Sequence, residues 1–485
     1  MKSKKILLTL IITSVLFFFA VSCKKDTSPF SDYNKLEFSQ DSVLFDTVFT
    51  QVGSFTKYFR VKNPNNSTIT ISKIYLARGN PSFYRLNVDG TPGKSFENIE
   101  ISAGDSIYVF VEVTIDPNNL TNPFVYQDSI IFDSPSGQQD VDLYSVARNC
   151  YLHLPTNTIY LGNGGTFSYG SLACGEVWNN DKPHLVFGYA LIDSICTLTI
   201  NAGTEIYFHQ NGGIVADRGA CLKVLGTKDQ RVTFQGDRLE YDYRDIAGQW
   251  ERIWLLDGSN NNEINYAVIK NAFIGIQAEP FAFYENGGSV IQQRKVKITN
   301  TIIQNCSYAG IFSRYYNIEM GNSIVSNCGS YLAALIYGGS YSFRHCTFAN
   351  YWTEETRNTP SIYINNKNDI QNFPIDSAYF VNCILDGNNS EELSLDTANV
   401  TGQINQLKFI NNLLKTQINT SNLNLFISNK INQSPSFKDA GNKDFKLNTN
   451  SPAINYGAQI PNYQTDINGV IRDQFPDLGA YEFVP

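Results

Sequence analysis

The sequence predicts an all-β chain, a β-sandwich followed by a parallel β-helix, on three observations. One phrase returns through the second half: INYAVIKNA from Ile264, ITNTIIQNC from Ile298, MGNSIVSNC from Met320, SFRHCTFAN from Ser342, YFVNCILDG from Tyr379 and KFINNLLKT from Lys408. Its apolar pairs, Val268-Ile269, Ile302-Ile303, Ile324-Val325, Thr347-Phe348, Ile384-Leu385 and Leu413-Leu414, are stepped by 34, 22, 23, 37 and 29 residues. Repeats of that length stack so that each unit buries its apolar face only against its neighbours. One short strand plus Asn-rich turns per unit stacks as a parallel β-helix, with the longer steps holding loops inserted at coil corners. The second observation is a set of period-two strands between Leu36 and Asn149. The third is that no segment carries a long amphipathic helical pattern.

The chain opens on a secretory signal over residues 1–22. Lys2, Lys4 and Lys5 form its basic start and Ile6–Ala20 its apolar run. Phe19-Ala20-Val21-Ser22-Cys23 resembles the lipobox of bacterial lipoproteins, which implies that Cys23 becomes an acylated N-terminus. A plain signal peptide or a single membrane anchor is the alternative. The apolar run is short for a spanning helix, however, and Lys24-Lys25-Asp26 follows the cysteine at once. The resemblance implies an exported protein, lipid-anchored to a bacterial membrane, at the outer membrane or cell surface. Residues 23–34 form its tether.

Residues 35–149 read as the sandwich. Lys57–Val61, Thr68–Ile74, Ile107–Val113, Ser129–Phe132 and Val141–Val146 alternate with turn clusters such as Asn63-Pro64-Asn65-Asn66. The phrases FRVKNPNNSTITISKI and ISAGDSIYVFVEVTIDP resemble the immunoglobulin-like domains of secreted bacterial proteins. That resemblance implies a fold and no chemistry.

Residues 150–434 are expected to hold an irregular, Gly-rich lead-in and then the solenoid. LTINAGTEIYF, LKVLGTKDQRVTFQG and WERIWLLDGS resemble the opening coils of right-handed parallel β-helices of the pectin-lyase-like superfamily. Gly203, Gly226 and Gly236 are placed for corners that need positive φ. Asn271, Asn305, Asn327 and Asn350 recur after the repeated strand, either as a hydrogen-bonded ladder or in left-handed turns. Residues 435–485, with Ser451-Pro452-Ala453-Ile454, Asp466 to Arg472 and Asp477-Leu478-Gly479-Ala480-Tyr481-Glu482, resemble the C-terminal cap of exported β-helix proteins. Such a cap is expected to cover the last coil, whose open edge would otherwise pair with another chain.

Eight cysteines follow Cys23. Cys306 and Cys328 share one column of the repeat and Cys346 and Cys383 another, which predicts ladders of small buried side chains rather than bonded pairs. Cys174 and Cys196, in the irregular lead-in, are the expected disulfide. No CxxC or His-rich spacing points to a metal. Asp followed by Ser or Thr and a small or aliphatic residue recurs, as at Asp105-Ser106-Ile107, Asp128-Ser129-Ile130 and Asp193-Ser194-Ile195. This resembles the O-glycosylation tripeptide of some lipoprotein-rich bacteria. Equally, Asp-Ser is a common way into a strand from a turn.

Without residues 1–22 the chain loses three of its 37 basic residues and none of its 45 acidic ones, a net charge of −11. No basic cluster remains for a phosphate backbone, so nucleic acid is not an expected partner. β-helices of the superfamily it resembles often cleave acidic polysaccharides, with calcium or a basic residue neutralising the uronate. Under that resemblance the candidate catalytic residues are Asp242, Arg244, Asp245 and Glu251, with Tyr241, Tyr243, Trp250 and Arg252 lining a groove. Mixed charges in a loop between coils also pair with one another on ordinary surfaces. Asp217-Arg218 reads either as a ligand contact or as an ion pair within a turn. His209 and His345, at strand ends, read as structural histidines. The reading favoured is a lipoprotein whose β-helix presents a glycan- or protein-binding face without catalysis and without a cofactor. The alternative is a polysaccharide lyase or glycoside hydrolase, with calcium only in the lyase case.

Overall fold

A computed structural model describes residues 35–161, 165–279, 295–398 and 406–485. The signal segment, Cys23 and the tether lie outside them. The described residues divide into two units. One runs to Asp116 and resumes over Val125–Val146; the other comprises Pro117–Phe124 and Ala147–Pro485. No helix among the described residues is long and apolar enough to cross a membrane.

The first unit is built from two five-stranded sheets. In one, Lys57–Lys62 and Ser106–Val113 are two of the three inner strands, pairing Phe59 with Val109 and Val61 with Ile107. Alternation puts Phe59, Val61, Val109 and Val111 inside and Tyr58, Arg60, Tyr108 and Phe110 outside. The inner faces meet through rings: Phe38 and Phe59 of one sheet pack on Phe132 of the other at 4.9 and 6.3 Å, and Tyr84 on Phe45 at 6.0 Å. This is a β-sandwich, as the alternation predicts. Asp105, Asp128 and Asp193 each accept the amide of the serine that follows, at 2.7–2.8 Å; Asp105 stands where a turn enters a strand, whereas Asp128 lies within Phe124–Ser134 and Asp193 follows Tyr189–Ile192.

The second unit is a right-handed parallel β-helix, the hand that parallel crossovers take. Its three sheets have eleven, ten and ten strands. One coil runs Asn262–Asn265, Ala267–Lys270 and Ala272–Ala278; the next coils place Lys295–Thr299, Ile302–Gln304 and Ala309–Arg314, then Asn317–Gly321, Ile324–Ser326 and Tyr331–Ile336, upon them. The apolar pairs stack in the register their sequence alignment gives. Val268, Ile302, Ile324, Thr347, Ile384 and Leu413 form one continuous column; Ile269, Ile303, Val325, Phe348, Leu385 and Leu414 form the other. The second column faces the core. In an adjoining sheet Phe343, Phe380, Phe409 and Phe426 stack at 4.8, 4.8 and 5.3 Å, close to the strand spacing itself. Among the described residues of these three sheets the pattern is broken at the start, where Asn157–Tyr160 pairs antiparallel with Thr166–Ser171.

Corners turn mostly on non-glycine residues with positive φ. Tyr266, Asn271, Asn300, Asn305, Asn322, Asn327, His345 and Asn382 all lie between +47° and +62°. Asn350 does not; it instead bonds the amide and carbonyl of Cys328 at 3.1 Å. Gly203 has the expected positive φ, whereas Gly226 and Gly236 are needed for closeness: a Cβ there would lie 2.2 Å from Tyr266 O and 2.1 Å from Gln249 Oε1. Cys306, Cys328, Cys346 and Cys383 are free, buried thiols in their columns, and Cys174 is bonded to Cys196, tying the first two coils.

The C-terminal segment corrects one expectation. Rather than covering only the last coil, residues 435–485 run along the outside of the eleven-stranded sheet. Phe445, Ile467 and Ala480 cover Ile324, while Leu447, Ala453 and Leu478 cover Ile384 and Leu413. This is why both members of the repeated pairs are apolar, Thr347 excepted: the sheet is buried on both faces. Hydrogen bonds reach from Arg231, to Ile467 O at 3.2 Å, as far as Lys430, to Pro452 O at 2.7 Å. The strap is knotted by its own motif residues. Buried Arg472 donates to Glu482 at 2.9 Å, to Gly479 O at 3.0 Å and to Asn322 at 3.2 Å, and Asp477 accepts the amide of Asn455 at 2.7 Å.

Two outcomes follow. Arg472→Ala leaves Glu482 buried without its cation, which should cost about 3–5 kcal/mol in denaturant titration and expose the C-terminal segment to protease. Burial also pushes His153 down, His184 down to about 3 and His345 well down, with His153 and Arg472 adding to the last two respectively. Each therefore binds a proton more readily unfolded than folded, and stability present at neutral pH is lost as pH falls below 6.5 towards 3. A thermal midpoint unchanged between pH 7 and 4 would contradict this.

Candidate functional site

The sheet that follows the Asn271, Asn305 and Asn327 corners offers its outer face to solvent, and its first coils form a groove. Alternation along its strands alone puts Tyr189 and Leu191, then Gly213 and Val215, then Arg252 and Trp254 outward. Register stacks Leu191, Val215 and Trp254 in one column and Tyr169, Tyr189, Gly213 and Arg252 in the next. A Cβ at Gly213 would lie 2.8 Å from the Tyr189 ring, so the absent side chain leaves that ring its place. The groove holds about 550 Å³ over a floor of Ile159, Phe167, Tyr169, Val215 and Trp254. Phe167 packs on Tyr189 at 4.7 Å and edge-on to Trp254 at 6.3 Å.

The polar rim comes from the turns that end two successive strands. Asp217 accepts Ser194 Oγ at 3.0 Å, and Arg218 lies 3.9 Å from Asp257. Gly219 N donates to Gly258 O at 2.8 Å, which pins the two turns side by side. A floor of rings and aliphatics beneath carboxylates, a hydroxyl and one guanidinium can hold a ligand with an apolar face and a hydroxylated edge. Beyond Trp254 the same face continues as a charged chain. Arg252 bonds Glu251 and Gln277, Gln277 bonds Glu279, and Arg314 pairs with Glu279 at 2.9 Å.

The residues singled out from sequence divide three ways. Tyr241, Asp242, Tyr243, Arg244 and Asp245 lie on the loop between Val232–Gly236 and Trp250–Leu255, and their charges are largely satisfied among themselves. Arg244 pairs with Asp245 at 3.5 Å and lies 4.9 Å from the Tyr241 ring; Arg238 lies 3.8 Å from the Tyr243 ring. Asn271 and Asn305 bind the carbonyls of Arg244 and Asp245 at 2.7 and 2.6 Å, so the asparagine ladder anchors this loop. Glu251 and Arg252 reach the outer face beside the groove. Trp250 does not: it is 1% exposed and stacks on Phe208 at 4.3 Å within the core. The expected groove residue is therefore a core residue, and Trp254, four positions on, is the one that faces outward. Trp250, Ile253 and Leu255 all face the core, so the alternation breaks phase between Trp250 and Ile253. Period two read from Trp250 puts both tryptophans on one side.

Asp217 and Arg218 do line the groove, but Arg218 pairs with Asp257 of the next coil rather than within its own turn. Sequence reasoning passed over Phe167, Tyr169, Trp254 and Asp257. The only signal for the three rings is an aromatic at alternate positions of short strands, which core ladders produce equally well, and Asp257, in a turn, carries none. His345 is buried against Asn382 and Asp477 O, while His209 gains a carboxylate, Asp237, at 2.7 Å from the following coil. Among the described residues no three His, Cys, Asp or Glu side chains are gathered so as to hold a metal ion.

No family model matches the chain, and no curated protein matches it. Among solved structures, the catalytic domain of a GH87 α-1,3-glucanase in complex with tetrasaccharides is similar over 75% of this chain and 81% of that one, at 12% identity and a TM-score of 0.24. A PapD-like domain of human CEP192 is similar over 27% of this chain and 96% of its own, at 10% identity and a TM-score of 0.18. A protein of unknown function from Porphyromonas gingivalis W83 is similar over 30% and 60%, at 13% identity and 0.18. At these scores none of the three bears on the groove, which is read from its own residues.

Proposed function

We propose that the chain is an exported lipoprotein whose β-helix holds a glycan in the groove over Trp254, with an immunoglobulin-like sandwich as its spacer. The observation that carries the glycan is the composition of one face. Phe167, Tyr169 and Trp254 form an apolar floor, and Ser194, Asp217, Arg218 and Asp257 supply donors and acceptors at the rim. A pyranose has the same division, an apolar C–H face and a hydroxyl edge. With two carboxylates against one cation at that rim, the lining suits neutral sugars better than uronates. The lipid anchor is supported by the resemblance of residues 19–23 to a lipobox, and the spacer by that of the sandwich strands to immunoglobulin-like domains.

Asp217 and Asp257 favour a second reading, a glycoside hydrolase. Two carboxylates over one sugar site are what acid–base cleavage of a glycosidic bond requires, one to protonate the leaving oxygen and one to activate water or attack.

Affinity electrophoresis and calorimetry against soluble α- and β-glucans, xylan and mannan test the binding. Trp254→Ala should weaken the best ligand by about tenfold, roughly 1.4 kcal/mol, and leave the thermal midpoint nearly unchanged. Trp250→Ala should instead cost about 3–5 kcal/mol of stability. Equal affinity of Trp254→Ala and the parent, or no ligand at all, sinks the groove. Release of reducing ends by the parent, lost in Asp217→Asn or Asp257→Asn while binding persists, establishes hydrolysis over binding alone. Unsaturated products from uronate polymers, with or without calcium, would show a lyase instead.

A further inference from the structure

The solenoid begins on an unguarded edge. Asn157–Tyr160 is the outermost strand of the ten-stranded sheet that carries the groove, and no strand lies beyond it among the described residues. Its neighbour is Thr166–Ser171, which sets Phe167 opposite Ile159. Leu161 N donates to Gly165 O at 2.8 Å, so the main-chain groups of Leu161 and, two residues back, of Ile159 face that neighbour. Amide direction alternates along an antiparallel strand, which leaves the N–H and C=O of Thr158 and Tyr160 pointing away from the sheet. Every residue from Leu154 to Leu161 is exposed, Ile159 by 50% and Tyr160 by 83%, so the edge is open to a partner.

Open edges ordinarily carry a charge or a proline that stops another chain from pairing there. Asn157–Tyr160 has neither. No Asp, Glu, Lys or Arg occurs between Arg148 and Glu176, and Thr158, Ile159 and Tyr160 are strong strand formers. Tyr151 and Val177, in the outermost strands of the other two sheets, are exposed as well and add apolar area at the same end. The far edge of the ten-stranded sheet differs. Its last strand, Leu393–Asp396, ends on Asp396, which pairs with Lys367 at 2.6 Å, and both side chains are half-exposed. Charge at that edge disfavours stacking of copies start to end, which would build a fibre. A start-to-start pair brings two uncharged edges together and closes on itself.

We propose that two copies of this chain pair through Asn157–Tyr160 across a two-fold axis at Ile159, joining their ten-stranded sheets into one. Antiparallel pairing about that residue sets Thr158 opposite the partner's Tyr160 and Tyr160 opposite the partner's Thr158. Each opposed pair exchanges both of its main-chain bonds, using the groups left outward. A second copy is the partner certain to bring the same uncharged edge in the matching direction. Ile159 and Leu161 line the groove, so the two Ile159 side chains meet on the groove face and the two grooves open into each other. The pairing rests on the edge alone and holds whether or not the groove takes a glycan.

The test uses the full chain, in the cells that express it and after purification in detergent. Ile159→Cys should give a disulfide-linked pair under mild oxidation with copper phenanthroline, well above the parent's background. Asn157→Cys alone should not, because the axis sets it opposite the partner's Leu161 and far along the strand from its own counterpart. Asn157→Cys mixed with Leu161→Cys should link. In detergent the parent should sediment at twice the protomer mass, and Ile159→Lys and Ile159→Glu each at the protomer mass. Their equimolar mixture should return to twice that mass, because opposed like charges repel and opposite ones attract. Unchanged thermal midpoints show that the variants are folded. The pairing is overturned by a parent that sediments as a protomer, or by Asn157→Cys linking to itself as readily as Ile159→Cys. A dimer that survives both Ile159→Lys and Ile159→Glu uses another surface and overturns it as well.

Discussion

The hydrogen-bond spacing between parallel strands governs this protein. Each coil lies one strand spacing above the last, so a side chain on the repeated strand meets its own counterpart at about 4.8 Å. That distance suits a flat ring or an aliphatic branch. The ladder of Phe343, Phe380, Phe409 and Phe426 and the column Ile269, Ile303, Val325, Phe348, Leu385 and Leu414 both follow from it. Once the spacing is set, corner geometry is set too. The chain must change direction in one or two residues, and Asn and Tyr in left-handed conformations do this in coil after coil.

A solenoid that buries only its inner columns leaves its outer faces to other uses, and the faces differ. The eleven-stranded sheet carries Ile324, Ile384 and Leu413 outward and gives that surface to the C-terminal strap. The adjoining sheet carries rings and charges outward over its first coils and is left open as the groove. Arg472 links Gly479 of the strap to Asn322 on the solenoid. Its burial with Glu482 is costly in isolation and is offset by the Asp477 and Gly479 carbonyls and the Asn322 side chain, which accept from it.

The groove is assembled from positions far apart in the chain. Phe167 belongs to the second strand of the sheet that lines the floor and Trp254 to the fifth, so neither is informative without the register between them. The charged loop after Gly236 drew attention because its residues are adjacent in sequence. Adjacency is also why Arg244 and Asp245 find each other rather than a ligand. Arg218 and Asp257 meet across 39 positions, and that meeting places a cation at the rim.

The sequence by itself determined the all-β class, the parallel stack, its register and the cysteine columns, because each depends on a period that strand geometry fixes. The pairing of Cys174 with Cys196 was equally open to it, since both fall at one corner of successive coils. Only the tertiary structure decided which way Trp250 and Trp254 point, where the C-terminal segment lies and which carboxylates share a groove. The reason is that side-chain direction reverses with a single break of phase, and such breaks arise from contacts between coils that no local pattern records.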